Sequence, residues 1–164
     1  MSGLEAVGAA AAVVQVADTG LRLSQALVKY IEDTKTAEKR LSQFAQEVKR
    51  TAEIIKSVAD LLKDAKVSRQ IASQGLETAH KCVKDCDSAF FDIELFIEEA
   101  RKRGKWRFTF KEPKLLLLDA RLEKLKSNLG LILLVIGKAK ELKAAIENEA
   151  VSDIRYSPYQ NDCH

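Results

Sequence analysis

A chain of 164 residues is long enough to bury one core without disulfides or metal, and its seven glycines and two prolines leave little turn punctuation. With 46% hydrophobic and 31% charged residues the composition is that of an all-α domain, and 27 basic against 24 acidic side chains give a net charge of only +3. That balance excludes a surface dedicated to nucleic acid. The three cysteines, Cys82 and Cys86 four apart and Cys163 near the terminus, exclude a secreted disulfide framework and fit a reducing compartment.

The first element opens with GLEAVGAAAAVVQVADTG, Gly3 to Gly20. Its first charge is Glu5 where a secretory leader needs Lys or Arg, and Glu5, Asp18 and Arg22 interrupt any window of about 20 apolar residues, so neither a leader nor a membrane span is expected. The expectation is a cytoplasmic protein. From about Leu4 to Glu32 a seam of Val7, Ala10, Val14, Ala17, Leu21, Ser24, Val28 and Ile31 repeats in steps of three and four, which predicts a helix. Because alanine buries little area, this helix is expected to be held less firmly than a leucine-rich one.

The second helix is predicted after Thr34 or Thr36, either a suitable N-cap, with Leu41, Ala45, Val48, Ala52, Ile55, Ala59 and Leu62 inward. A third begins near Ser68, buries Leu76, Ala79, Val83, Cys86, Phe90, Ile93, Ile97 and Ala100, and stops after Arg101, Lys102, Arg103 at Gly104. After a break from Gly104 to Lys114, a fourth runs from about Leu115 to Glu149 along Leu115, Leu118, Leu122, Leu125, Leu129, Ile132, Ile136 and Ala139. It is apolar nearly all round from Leu129 to Gly137, which predicts that it is the most enclosed of the four. Four helices of about 30 residues with such stripes predict an antiparallel up-down four-helix bundle over residues 1–150, and residues 151–164 read as a flexible tail or the start of a linker.

Chemistry-bearing constellations are scarce. There are two histidines, His80 and His164, and no nucleophile elbow, zinc-protease, P-loop or dinucleotide fingerprint. His80 and Cys82 are two apart on a helix and face different ways, so with Cys86 they do not form a metal clasp. Asp92, Glu94, Glu98 and Glu99 flank an apolar seam and read as a solvated face. An enzyme would need a concave polar pocket with a perturbed titratable group. None is expected, and neither is a cofactor, a metal or a small-molecule substrate.

The segment RKRGKWRFTFKEPK is the strongest local signal. Arg101, Lys102, Arg103, Lys105, Arg107, Lys111 and Lys114 oppose a single acid, Glu112, while Trp106, Phe108 and Phe110 alternate with polar residues. The aromatics can plug the open end of the bundle with the cations in water, or the joint can meet anionic lipid, where each cation contributes about 1 kcal/mol. Stacking of single-stranded nucleic acid is a third possibility, but no basic channel accompanies the segment and nucleic acid is not expected as a partner. In the opening helix Gly8, Ala12, Val16 and Gly20 step by four, a spacing that lets backbones approach closely in a protein core or in lipid.

SGLEAVGAAAAVVQVADTGLRLSQALVKYIEDTK, LSQFAQEVKRTAEIIKSVADLL and GKWRFTFKEPKLLLLDARLEKLKSNLGLILLV together resemble the fungal N-terminal domain of STAND and NOD-like receptor proteins, the HeLo-like group, over about Ser2 to Ala145. The resemblance implies a helical bundle related in design to the executioner bundles of necroptotic pseudokinases and plant resistance proteins. It also implies a non-enzymatic role in programmed cell death and non-self recognition, with oligomerisation and insertion of the first helix into the plasma membrane. By position, Gly3, Gly8, Ala12 and Gly20 match the glycine zipper of that helix. Self-association or another helical domain, and anionic membrane, are the partners this implies. A protein-interaction or regulatory module without membrane activity is the alternative.

Overall fold

The computed structural model describes residues 3–34, 39–64, 73–103 and 113–155, and among them every regular element is a helix. Helix α1 spans Gly3–Thr34, α2 Lys39–Lys63, α3 Ser73–Arg103 and α4 Pro113–Arg155. Pro113 occupies the first position of α4, where its missing N–H costs nothing and its fixed φ suits the helix. Arg101, Lys102 and Arg103 fill the last turn of α3, where cations complement the carbonyl end of the helix dipole. Thr34 is the last residue of α1 rather than an N-cap for α2: its hydroxyl donates to the carbonyl of Tyr30 at 2.7 Å. Thr36 and Ser68 lie outside the described residues, as does Gly104.

Helix α1 packs on α2 and α3, and α4 packs on the same two helices. The predicted inner seams of α2 and α3 are buried as expected, Leu76 only in part. Val48, Ala52, Ile55 and Val58 of α2 meet Cys86, Phe90 and Ile93 of α3 in one continuous core, joined by Val13, Ala17 and Leu27 of α1 and by Leu122 and Leu129 of α4. Two buried hydroxyls are satisfied within their own helices: Ser24 donates to the carbonyl of Leu21 and Thr51 to that of Glu47, both at 2.8 Å.

Helices α3 and α4 run in opposite directions, because Lys114 pairs with Glu99 and Arg121, about two turns further on, pairs with Asp92. Helix α4 has 43 residues, α2 25 and α3 31. Continuing the ion-pair register at 1.5 Å per residue sets Ser73, the first residue of α3, about level with residue 140 of α4. The end of α4 therefore projects past its neighbours, and every described side chain from Glu141 to Val151 is exposed.

Two expectations are corrected. The inner face of α1 keeps Ala10, Ala17 and Ser24 of the predicted seam but is otherwise shifted: Val13, Gly20, Leu27 and Tyr30 are buried, whereas Val28 is exposed and Val14, Leu21 and Ile31 are half-buried. Helix α4 is not the most enclosed: Leu131, Leu134 and Val135 are all exposed, because only the arc through Leu118, Leu122, Leu125, Leu129 and Ile136 meets α2 and α3.

Candidate interaction surface

The sequence-predicted zipper residues do not share a face. Four-residue steps advance about 40° each around a helix, so the row from Gly8 to Gly20 winds from one side of α1 to another. Gly8 and Ala12 are exposed, and a Cβ placed on Gly8 would meet nothing within 4 Å. Gly20 is buried, and a Cβ there would lie 2.6 and 2.7 Å from two ring carbons of Phe90 and 2.8 Å from Cβ of Ala52. Gly20 is thus the point where three helices close on one another, and a larger residue has no room. Gly3 is the first residue of α1.

Of the basic-aromatic joint, Arg101, Lys102 and Arg103 are exposed on α3, and Lys114 pairs with Glu99 at 3.1 Å. Lys105, Trp106, Arg107, Phe108, Phe110 and Lys111 lie outside the described residues, and so do Cys163 and His164. The acidic face of α3 divides: Glu94 and Glu98 are exposed, while Asp92 and Glu99 tie α3 to α4, Asp92 through Arg121 at 2.5 Å. The Arg121 guanidinium also donates to Ser88 at 3.1 Å.

Cys82 and Cys86 are buried free thiols, and His80 is exposed on the same helix. A hydrogen bond with Cys82 and burial together hold the Cys86 thiol protonated, far above the ordinary thiol range. The same hydrogen bond lowers the Cys82 thiol, so of the two only Cys86 is chemically quiet. Among the described residues no group of three or more His, Cys, Asp or Glu is placed to hold a metal ion.

A concave polar site does exist, contrary to expectation. Between α2 and α4 a cavity of about 550 Å³ is lined by Arg40, Glu47, Arg50, Asp119 and Glu123, among others. Lys126 donates to Glu47 and to Glu123, the latter at 2.7 Å, and Arg50 donates to Glu47 at 2.8 Å. The hydrogen bond from Lys126 holds the Glu47 carboxyl below its usual range, while burial and the charges of Glu123 and Glu47 raise Asp119. The lining holds no histidine, cysteine or hydroxyl nucleophile. Its charged side chains form a network joining α2 to α4.

An apolar stripe lies on α4. Leu131, Val135, Leu142 and Ile146 are 61, 65, 65 and 58% exposed. At 100° per residue they fall within about 60° of one another, on an arc well separated from the buried one through Leu122, Leu129 and Ile136. The upper part of this stripe borders a groove of about 680 Å³ between α3 and α4, floored by Cys82, Ile132 and Ile136 and rimmed by Lys81, Asp85 and Lys124. Helix α4 thus has one apolar face docked in the core and a second facing outward, and reading its apolar run as a single enclosed stretch merged the two. The separable signal was the repeat Leu131, Val135, then Leu142, Ile146, eleven residues on.

Among the described residues no helix is long and apolar enough to cross a membrane. No protein-family model, curated protein or solved structure matches the chain.

Proposed function

We propose that the protein is a non-enzymatic helical interaction module that binds another helix through the outward apolar stripe of α4. The carrying observation is that stripe: four large side chains aligned on one face, each more than half exposed, where isolated apolar residues would be ordinary and a contiguous row marks a contact surface. The architecture that goes with this reading is an antiparallel up-down four-helix bundle. It is supported by the opposed directions of α3 and α4 and by the meeting of α1, α2 and α3 at Gly20. Within the HeLo-like resemblance, the role is that of a signalling or regulatory domain in fungal programmed cell death and non-self recognition.

A second reading, membrane contact by a released α1, has one observation in its favour: Gly8, Ala11 and Ala12 form a small-residue surface already facing outward. Against it stands the seating of Gly20 under Phe90 and beside Ala52, which must be undone before the rest of α1 can leave. Two measurements separate the readings. Cross-linking in cells should trap a complex larger than the 18.3 kDa chain, and Leu142→Ser/Ile146→Ser should abolish it. Vesicles of phosphatidylcholine and phosphatidylserine should leave the purified protein in the supernatant. Vesicle leakage that survives the α4 substitutions and is lost in Gly8→Leu would favour membrane action by α1.

A further inference from the structure

The partner that the α4 stripe fits best is identified by the two charges within it. Counted in steps of three and four from Val135, the outward seam continues through Lys138, Leu142, Ala145 and Glu149, with Ile146 beside it, all exposed. The seam therefore carries one cation and one anion among apolar residues. Lys138 and Glu149 lie the same distance on either side of the Leu142–Ala145 pair.

We infer that this seam pairs with the same seam of a second copy of the chain, the two α4 helices antiparallel. This rests on the reading of α4 as an interaction surface and names its occupant. In antiparallel coiled coils the two apolar positions of the repeat alternate across the interface. The register that sets Leu142 against Ala145 of the other copy also sets Lys138 against Glu149, and two-fold symmetry makes each contact twice. A parallel pairing in register would instead face Lys138 with Lys138 and Glu149 with Glu149. The charges thus select a self-partner and an orientation. The overlap runs from Ile132 to Arg155, about 36 Å of helix, all but its first turns beyond the reach of α2 and α3. The surface pair that Lys138 makes with Glu141 at 3.3 Å is exposed and one turn away, so a carboxylate of the partner can join it without competing for a buried site.

Sedimentation of the intact chain tests this. The wild type should show a concentration-dependent dimer of twice 18.3 kDa. Lys138→Glu alone, or Glu149→Lys alone, should weaken it at least about tenfold, since each replaces two attractive contacts by two repulsive ones. An equimolar mixture of the two variants should recover a heterodimer, and circular dichroism should show both as folded as the wild type, because both positions are exposed. A parallel dimer would be indifferent to either single reversal, so a dimer that ignores them overturns the inference. So does a wild type that stays monomeric at the highest soluble concentration. If it stays monomeric while the cellular complex still depends on Leu142 and Ile146, the self-pairing is wrong and the wider reading of α4 survives; if that complex is missing too, both fall.

Discussion

Gly20 in α1 and Gly130 in α4 are both mid-helix glycines set among apolar residues, yet a methyl group at the first would run into Phe90 and Ala52 and at the second would meet nothing within 4 Å. The difference shows that apolar content does not say how firmly a helix is held. Alanine and glycine bury little area each, but they let α2 and the Phe90 ring come close enough that α1 is locked by shape. Leucine and valine carry more area, but on α4 Leu131, Leu134, Val135, Leu142 and Ile146 point away from the other described helices. The small-residue helix is the docked one, and the leucine-rich helix carries the unpaired face.

The sharpest test of this contrast is at the close approach. Phe90→Ala should cost about 3–5 kcal/mol in chemical denaturation, and Gly20→Ala about 1–3 kcal/mol through overpacking. Combined, the two should cost clearly less than the sum, because the cavity left by the ring admits the new methyl group. Additive losses would mean that α1 is not seated on Phe90 as described.

The charge network between α2 and α4 gives a pH-dependent test of intermediate size. Glu47 is held below its ordinary value of 4.5 by the Lys126 hydrogen bond, so it contributes stability that is present above that value and lost as the pH falls through its lowered folded value. Asp119 is raised above 3.8, so its ionisation opposes folding as the pH rises through that range. Glu47→Gln should flatten the loss of stability on acidification, and Asp119→Asn should raise stability at neutral pH. A steeper acid limb in Glu47→Gln would contradict the geometry.

The smallest effects separate open glycines from the packed one. Gly8→Ala and Gly130→Ala should each gain about 0.5–1 kcal/mol, because alanine costs less backbone entropy in a helix and neither site has a neighbour to strike. A loss at Gly8 comparable to that at Gly20 would restore the idea of one continuous zipper face.

Much of the all-α core was legible in the sequence, and the exceptions have identifiable causes. The α2 seam from Leu41 to Leu62 is buried throughout because polar residues occupy its outer face and leave a single apolar phase. In the first half of α1, up to Ala17, nearly every position is small or apolar, so two phases fit equally well. The one chosen is set by the ring of Phe90, which needs a glycine opposite it and finds it at Gly20 rather than Leu21. In α4 periodicity located the inner arc but merged the outer one into a single enclosed run, because the relative lengths of α2, α3 and α4 decide which face has a neighbour. The Glu47–Lys126 contact joins residues 79 apart in sequence and leaves no local pattern.

Because α4 is unbroken from Pro113 to Arg155, its two halves share one ladder of backbone hydrogen bonds but not one stability. Opening the ladder near Leu122 requires pulling side chains out of the core, whereas opening it beyond Glu141 draws none of the described core side chains with it. Amide protons should therefore exchange progressively faster toward Arg155, and a protease should trim the isolated protein back to the last turn that touches its neighbours. Binding along the outward stripe would slow both, turning a gradient of fraying into a direct gauge of occupancy.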